Sequence, residues 1–141
     1  MSATVLTADA LVEVPFHDVD VMEVAWHGHY LKYFEIARGA LLRAIDYDYP
    51  QMRESGYVWP VVECHLKYVR PARYGQNLRV TAELVEYENR MKIAYVVRDA
   101  SSTEVLTRGY TVQVAVCAKS GELQFVAPAA LTARVTNKAA A

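Results

Sequence analysis

Two short polar clusters in the sequence have residue types suited to chemistry: His17-Asp18-Val19-Asp20 and, seven residues after Asp20, His27-Gly28-His29-Tyr30. Asp20 falls just before a segment with helical periodicity, and the first N–H groups of a helix lack intrahelical acceptors and carry partial positive charge. Such donors hold a carbonyl oxygen as it becomes negative, while a neighbouring carboxylate attacks or deprotonates water; together they make half of an acyl-transfer site. His27 is placed to orient the carbonyl or the leaving group. A plainer alternative stays open, in which Asp18 or Asp20 only caps the helix and the histidines are surface or satisfied core groups.

Other chemistries fit less well. His27-x-His29 with Asp18 and Asp20 could be read as a metal site, but residues two apart on a helix point to different sides. Cys64 beside His65 suggests a thiol nucleophile, yet strand neighbours face opposite ways. There is no glycine-rich phosphate loop and no Gly-x-Ser-x-Gly elbow. Cys64 and Cys117 are too few for a disulfide framework and read as buried thiols. Lys67, Arg70 and Arg73 form a small basic segment, suited either to pairing with phosphate or to a solvated strand end.

The elements that must position these groups follow from periodicity. Leu11 to His17 reads as a short strand, followed by the polar turn Asp18-Val19-Asp20. From about Gly28, Tyr30, Tyr33/Phe34, Ala37, Leu41 and Ala44/Ile45 recur every three or four residues, with Lys32, Glu35, Arg38 and Arg43 opposite, which predicts one long amphipathic helix ended by Pro50 at the latest. A short helical turn is expected over Gln51 to Ser55, closing on Gly56. Alternation then predicts strands around Val62 to Tyr68, Leu78 to Leu84, Met91 to Val97 and Tyr110 to Val116, and a last one near Leu123 to Val126. Glu88-Asn89-Arg90 is short enough for a hairpin. Four consecutive strands suggest an antiparallel meander, and the whole is an α+β domain in which a curved sheet of five or six strands wraps a central helix. One helix leaves edges and sheet surface uncovered, so a second copy is expected, as a homodimer at least.

Composition bounds the function. The chain has 141 residues, 53% hydrophobic and 22% charged, which suits one folded domain, with its core over about 11–126 and both ends read as loose. With 15 basic and 16 acidic side chains and a net charge of -1, a general attraction to nucleic acid is excluded and any anion site is local. The first dozen residues lack the basic start and apolar run of a secretory signal, and no stretch approaches the ~18 apolar residues of a membrane span; a cytoplasmic protein is expected.

The run from Phe16 through Asp20 to His27-Gly28-His29-Tyr30-Leu31-Lys32-Tyr33-Phe34-Glu35-Ile36-Ala37-Arg38 resembles the opening motif of the hotdog-fold acyl-CoA thioesterases, in particular the 4-hydroxybenzoyl-CoA thioesterase and YbgC-like branch. Tyr68-Val69-Arg70-Pro71-Ala72 is similar to that family's Tyr-x-x-Pro-Ala stretch, and the likeness covers about Leu11 to Val126. The resemblance implies hydrolysis of an acyl thioester of coenzyme A or acyl carrier protein by a homodimer or homotetramer, without cofactor or metal. It assigns Asp20 as nucleophile or general base, His27 as the residue whose N–H polarises the thioester carbonyl, and Tyr30 to a role as much structural as catalytic. It also implies that Lys67, Arg70 and Arg73 lie near the nucleotide or phosphopantetheine arm. Trp26, Trp59, Tyr33 and Tyr57 line the acyl channel or belong to the core.

The family often has glycine three residues after the catalytic Asp, where this chain has Glu23, a second acid/base or a solvated loop carboxylate. The variant Trp26-His27-Gly28-His29-Tyr30 looks like thioesterases found beside aryl-polyene or polyketide pathways, which implies an aromatic or polyunsaturated chain on a carrier protein. The hydratase and dehydratase openings of hotdog relatives are absent. A non-catalytic acyl-thioester binding protein and a polyketide-type cyclase or hydratase remain as alternative functions.

Overall fold

The computed structural model describes residues 6–140. Strand β1 (Leu6–Glu13) leads through a 3-10 turn (Phe16–Asp18) and a hairpin loop to a second 3-10 turn (His27–His29), which runs directly into helix α1 (Tyr30–Arg43). Helix α2 (Tyr49–Ser55) and strands β2 (Tyr57–Val58), β3 (Val61–Tyr68), β4 (Asn77–Glu86), β5 (Met91–Asp99), β6 (Val105–Gln113) and β7 (Val116–Cys117) follow, and helix α3 (Ala129–Ala140) closes the chain. One antiparallel sheet has the order β1-β4-β5-β6-β3, and β2 pairs with β7.

The α1 stripe folds as its spacing predicts. Tyr30, Tyr33, Phe34, Ala37 and Leu41 are buried, and Lys32, Glu35 and Arg43 are exposed. The helix lies against β1 and β4, and the Phe34 ring stacks on Tyr95 of β5 with centroids 4.3 Å apart. The sheet face beneath is built from Leu78, Val80, Ala82 and Leu84 of β4 and Met91, Ile93, Tyr95 and Val97 of β5, all buried, with the alternating residues at least partly exposed. Gly109 of β6 permits this close approach: a Cβ there would lie 2.8 Å from the Phe34 ring and 2.3 Å from the His65 carbonyl oxygen.

The sequence-based expectations need correction in several places. The meander is limited to β4, β5 and β6, because β3 crosses to the far edge and pairs with β6. Its connection to β4 is too long for a tight hairpin and contains Pro71, and alternation says nothing about which strands become neighbours. At that edge β3 is exposed on both faces except at Leu66, so Cys64 is exposed; Cys117, on the short β7, is partly exposed, and neither thiol is buried.

No strand forms over Leu123 to Val126; Leu123 makes only an isolated bridge to Val116. Strand β1 starts at Leu6, earlier than expected, and pairs with β4 throughout. The Ala-rich C-terminal stretch hid an i,i+4 pair: Leu131 and Val135 of α3 are fully buried. Helix α1 ends at Arg43, within the limit set by Pro50, which sits in the first turn of α2, where Asp48 and Gln51 form a reciprocal capping box. The expectation for Met1 to Val5 and Ala141 lies outside the described residues. Among those described, no helix is long and apolar enough to cross a membrane.

Replacing Gly109 by Ala should cost about 1–3 kcal/mol of stability, read as a lower urea midpoint. An unchanged midpoint would show that the helix-to-sheet spacing is not set there.

Candidate functional site

The local backbone places Asp20 at the tip of a tight hairpin. Val19 bridges Ala25, Asp20 N–H donates to Val24 O at 3.0 Å, Glu23 N–H to Asp20 O at 2.9 Å, and Trp26 N–H to Asp18 O at 2.9 Å. The turn closes because Glu23 adopts a left-handed backbone with φ 63°. Glycine takes that conformation without strain, so Glu23, where the resembling family often has glycine, holds a glycine-favouring backbone angle at a local cost. Asp20 is exposed, and its Oδ1 accepts the Met22 N–H at 2.8 Å.

A second seam joins this hairpin to the segment between β3 and β4. Ala25 N–H donates to Ala72 O at 2.7 Å and Tyr74 N–H to Glu23 O at 3.2 Å, and Val24 bridges Arg73. Buried Tyr30 braces the same segment by accepting the Ala72 N–H on its hydroxyl at 3.1 Å. Burial is the main cause that raises the Tyr30 pKa, with the Ala72 N–H acting in the opposite direction, so the group is a neutral phenol at neutral pH.

The seams gather Asp20, Ala25, His27, Tyr30, Tyr68 and Arg70 around an open cavity of about 320 Å³. A neighbouring recess of about 420 Å³ has Asp20 and Glu23 in its wall, with Phe16, His17 and Tyr74. The first turn of the helix contributes donors. His29 N–H already bonds Trp26 O at 2.9 Å, and neither Trp26 nor His29 caps the helix start through its side chain. The preceding N–H groups, of His27 and Gly28, are thereby the ones without a helical acceptor. Neither Asp18 nor Asp20 acts as the helix cap.

Asp18 has a different task. It is 1% exposed and accepts hydrogen bonds from Lys32 Nζ at 2.5 Å and Tyr33 OH at 2.8 Å, with His17 Nε2 at 3.7 Å and His29 Nε2 at 3.9 Å. Burial would raise its pKa, but the bonds from Lys32 and Tyr33 and the Lys32 charge outweigh it and hold the carboxyl below the usual value. Burial, together with the bond to Asp18, pushes the Tyr33 phenol well up. The sequence carried a signal for this cluster: a tyrosine inside an apolar helical stripe needs a partner for its hydroxyl.

The other expected site residues are dispersed. Trp26, 48% exposed, lies over Gly28, where a Cβ would fall 2.1 Å from the indole, and its ring meets those of His27 and His29. Arg70 lines the Asp20 cavity and pairs with Glu104 at 3.3 Å. Arg73 lines an adjoining recess of about 430 Å³ that Arg70 shares. Lys67 lies on β3 opposite Arg108 of β6 and lines none of these recesses. Tyr57 and Trp59 line a larger cavity of about 560 Å³ beside α1 and α2, with Ile36, Leu42 and Met52, and Asp20 is not in its wall. Tyr33 is buried against Asp18. The sequence reading missed one contact at the site, the Tyr68 hydroxyl on the His27 carbonyl oxygen at 2.7 Å.

A long helix packed on a five-stranded antiparallel sheet, with a carboxylate loop at the helix start, defines a hotdog-fold protein. The chain belongs to the thioesterase-like superfamily, whose sequence profile matches residues 14–137. It is 31% identical over 84 residues to a Bacillus subtilis protein named as a candidate acyl-CoA thioesterase, a match covering 60% of each chain. It is also 30% identical over 123 residues, 83% of this chain and 24% of the other, to an L-carnitine dehydrogenase/betainyl-CoA thioesterase of Rhizobium meliloti. These matches therefore span about 60% or less of the relatives' own length. Among solved structures, the 1,4-dihydroxy-2-naphthoyl-CoA thioesterase of Synechocystis shares the fold with a TM-score of 0.82 at 19% identity, covering 93% of this chain and 96% of that one.

Asp18→Asn should lower stability at pH 7 by about 1–2 kcal/mol, since Lys32 is partly solvated. The folded-state pKa lies below the unfolded value of 3.8, so the stabilisation is whole above that value and is lost as the pH falls below it through the folded pKa. The gap between the urea midpoints of wild type and variant should therefore narrow from pH 7 to about pH 3. A gap that persists would place the effect in packing, not charge.

Proposed function

We propose that the protein is a thioesterase that hydrolyses an acyl thioester of coenzyme A, or of acyl carrier protein, to free acid and thiol. One observation carries the reading: the exposed carboxylate of Asp20 and His27, which opens the 3-10 turn leading into α1 and whose N–H has no helical acceptor, wall the same cavity. The thioester carbonyl oxygen accepts the His27 N–H and becomes negative as the carbon is attacked. Asp20, its Oδ1 held by the Met22 N–H, uses its other oxygen either to add to the carbonyl carbon or to take a proton from the attacking water. The C–S bond breaks, the thiolate leaves and is protonated, and water supplies the hydroxyl of the acid. Tyr30 keeps the wall in place through Ala72, and Arg70, with Arg73 beyond it, faces the anionic arm of the substrate.

The relatives are thioesterases of coenzyme A esters by name, which favours a coenzyme A ester over a carrier-bound one. Glu23, whose backbone fixes the turn, is a solvated loop carboxylate in this reading. The protein works in the cytoplasm as a homo-oligomer. Support for a second copy comes from β3, an edge strand that exposes Val61, Val62, Cys64 and Tyr68. Pairing along it would satisfy the free edge and cover these side chains.

Release of thiol from a panel of acyl-CoA esters tests the chemistry. Asp20→Asn should lose roughly 10²-fold or more in kcat, whereas Glu23→Gly should retain turnover. Hydrolysis that survives in Asp20→Asn rejects the mechanism, and binding without turnover by wild type favours a carrier of acyl thioesters. Sedimentation of the same samples should give at least twice the chain mass; a fully active monomer would refute the second copy.

A further inference from the structure

Tyr68 ends β3, and its hydroxyl donates to the carbonyl oxygen of His27 at 2.7 Å. That carbonyl belongs to the same peptide unit as the Gly28 N–H, one of the two donors the helix leaves without an acceptor. A hydrogen bond accepted at one end of an amide polarises the unit and strengthens its N–H as a donor. It also fixes the plane of that peptide, and with it the direction of the Gly28 N–H. The preceding peptide is loaded from within the turn, where Trp26 O accepts the His29 N–H; the His27–Gly28 peptide is loaded by a side chain from the opposite edge of the sheet.

The tyrosine is itself held in place. Its ring sits edge-on to Tyr30 with centroids 5.2 Å apart and to His27 at 6.4 Å, and Tyr30 is anchored by the Ala72 N–H. Tyr68, Asp20, His27 and Tyr30 wall one cavity. Burial, then the neighbouring Tyr30 and Cys64, raises the Tyr68 pKa, which keeps the hydroxyl protonated as a donor.

We propose that Tyr68 is a positioning residue: through the His27 carbonyl it orients the His27–Gly28 peptide and strengthens its Gly28 N–H, which serves the thioester oxyanion as a second donor beside the His27 N–H. This rests on the thioesterase reading. A simple brace between β3 and α1 would use the same contact but predicts a different result when only the hydroxyl is removed.

Tyr68→Phe keeps the ring packing and deletes the donor. With acyl-CoA esters, kcat should fall roughly 5- to 30-fold with KM within about twofold, the scale of one lost hydrogen bond felt in the transition state. In the ligand-free protein, the Gly28 amide proton should move upfield in the ¹H–¹⁵N spectrum of the variant. Unchanged kcat, with or without a lower melting temperature, overturns the proposal, as does a Gly28 resonance that stays in place. If wild type releases no thiol from any ester, the thioesterase reading fails, and the amide shift alone decides: movement supports the polarised peptide and constancy rejects it.

Discussion

The buried carboxylate of Asp18 is the fixed point of the molecule's polar end. An ionised group with 1% exposure is costly to desolvate, and it is tolerated because Lys32 and Tyr33, both from the first turns of α1, donate to it. The backbone carbonyl of the same residue accepts the Trp26 N–H. Asp18 therefore ties the loop to the helix at two places, through its side chain to residues beyond the helix start and through its main chain to the residue before it. The hairpin between those ties has little freedom, and Asp20, two residues on, is carried to its tip. Two nearby carboxylates thus have opposite fates: one consumed by structure and held ionised, the other left facing solvent and a cavity.

Much of the fold was legible because side-chain period reports burial. The α1 stripe, the alternation of β4 and β5, the hairpin between them and the turn at Gly56 all follow from local pattern. Pairing order was not legible, since β3 alternates as an inner strand would and yet occupies an edge. The same limit explains Cys64. Its residue type suggested burial, but exposure at an edge depends on what covers the sheet, which is a property of the assembly and not of the strand. At the C-terminus, a run of alanines masked the two apolar contacts that make α3 a packed helix.

The candidate site divides along similar lines. Asp20, His27 and Tyr30 were legible because they lie close in sequence around one predicted helix start, and the structure brings them to one cavity. Tyr68 and Arg70 come from 38 to 50 positions further on; only the family resemblance linked Arg70 to the site in the sequence, and only tertiary structure joins Tyr68 to it. Lys67, adjacent to Tyr68, projects to the other side of the strand by the two-residue period, which separates it from the group it was read with. Glu23 had an ambiguous side chain in the sequence, whereas its informative feature is a backbone angle.

The two helices flanking the larger cavity differ in how they start, and the difference bears on function. The short α2 has a full capping box, with Asp48 and Gln51 satisfying donors at its first turn. The longer α1, on which the core depends, has no side-chain cap at all. A serine, threonine or aspartate cap in place of Trp26 would add about 0.5–2 kcal/mol, but its oxygen would compete for the Gly28 amide, one of the two donors left free for the thioester oxygen. Stability forgone at that turn is supplied elsewhere, by the Asp18 contacts and by the Phe34–Tyr95 stack. An uncapped helix whose neighbours compensate for it is what a ligand-facing N-terminus requires, and that combination, more than either carboxylate alone, separates this site from an ordinary loop.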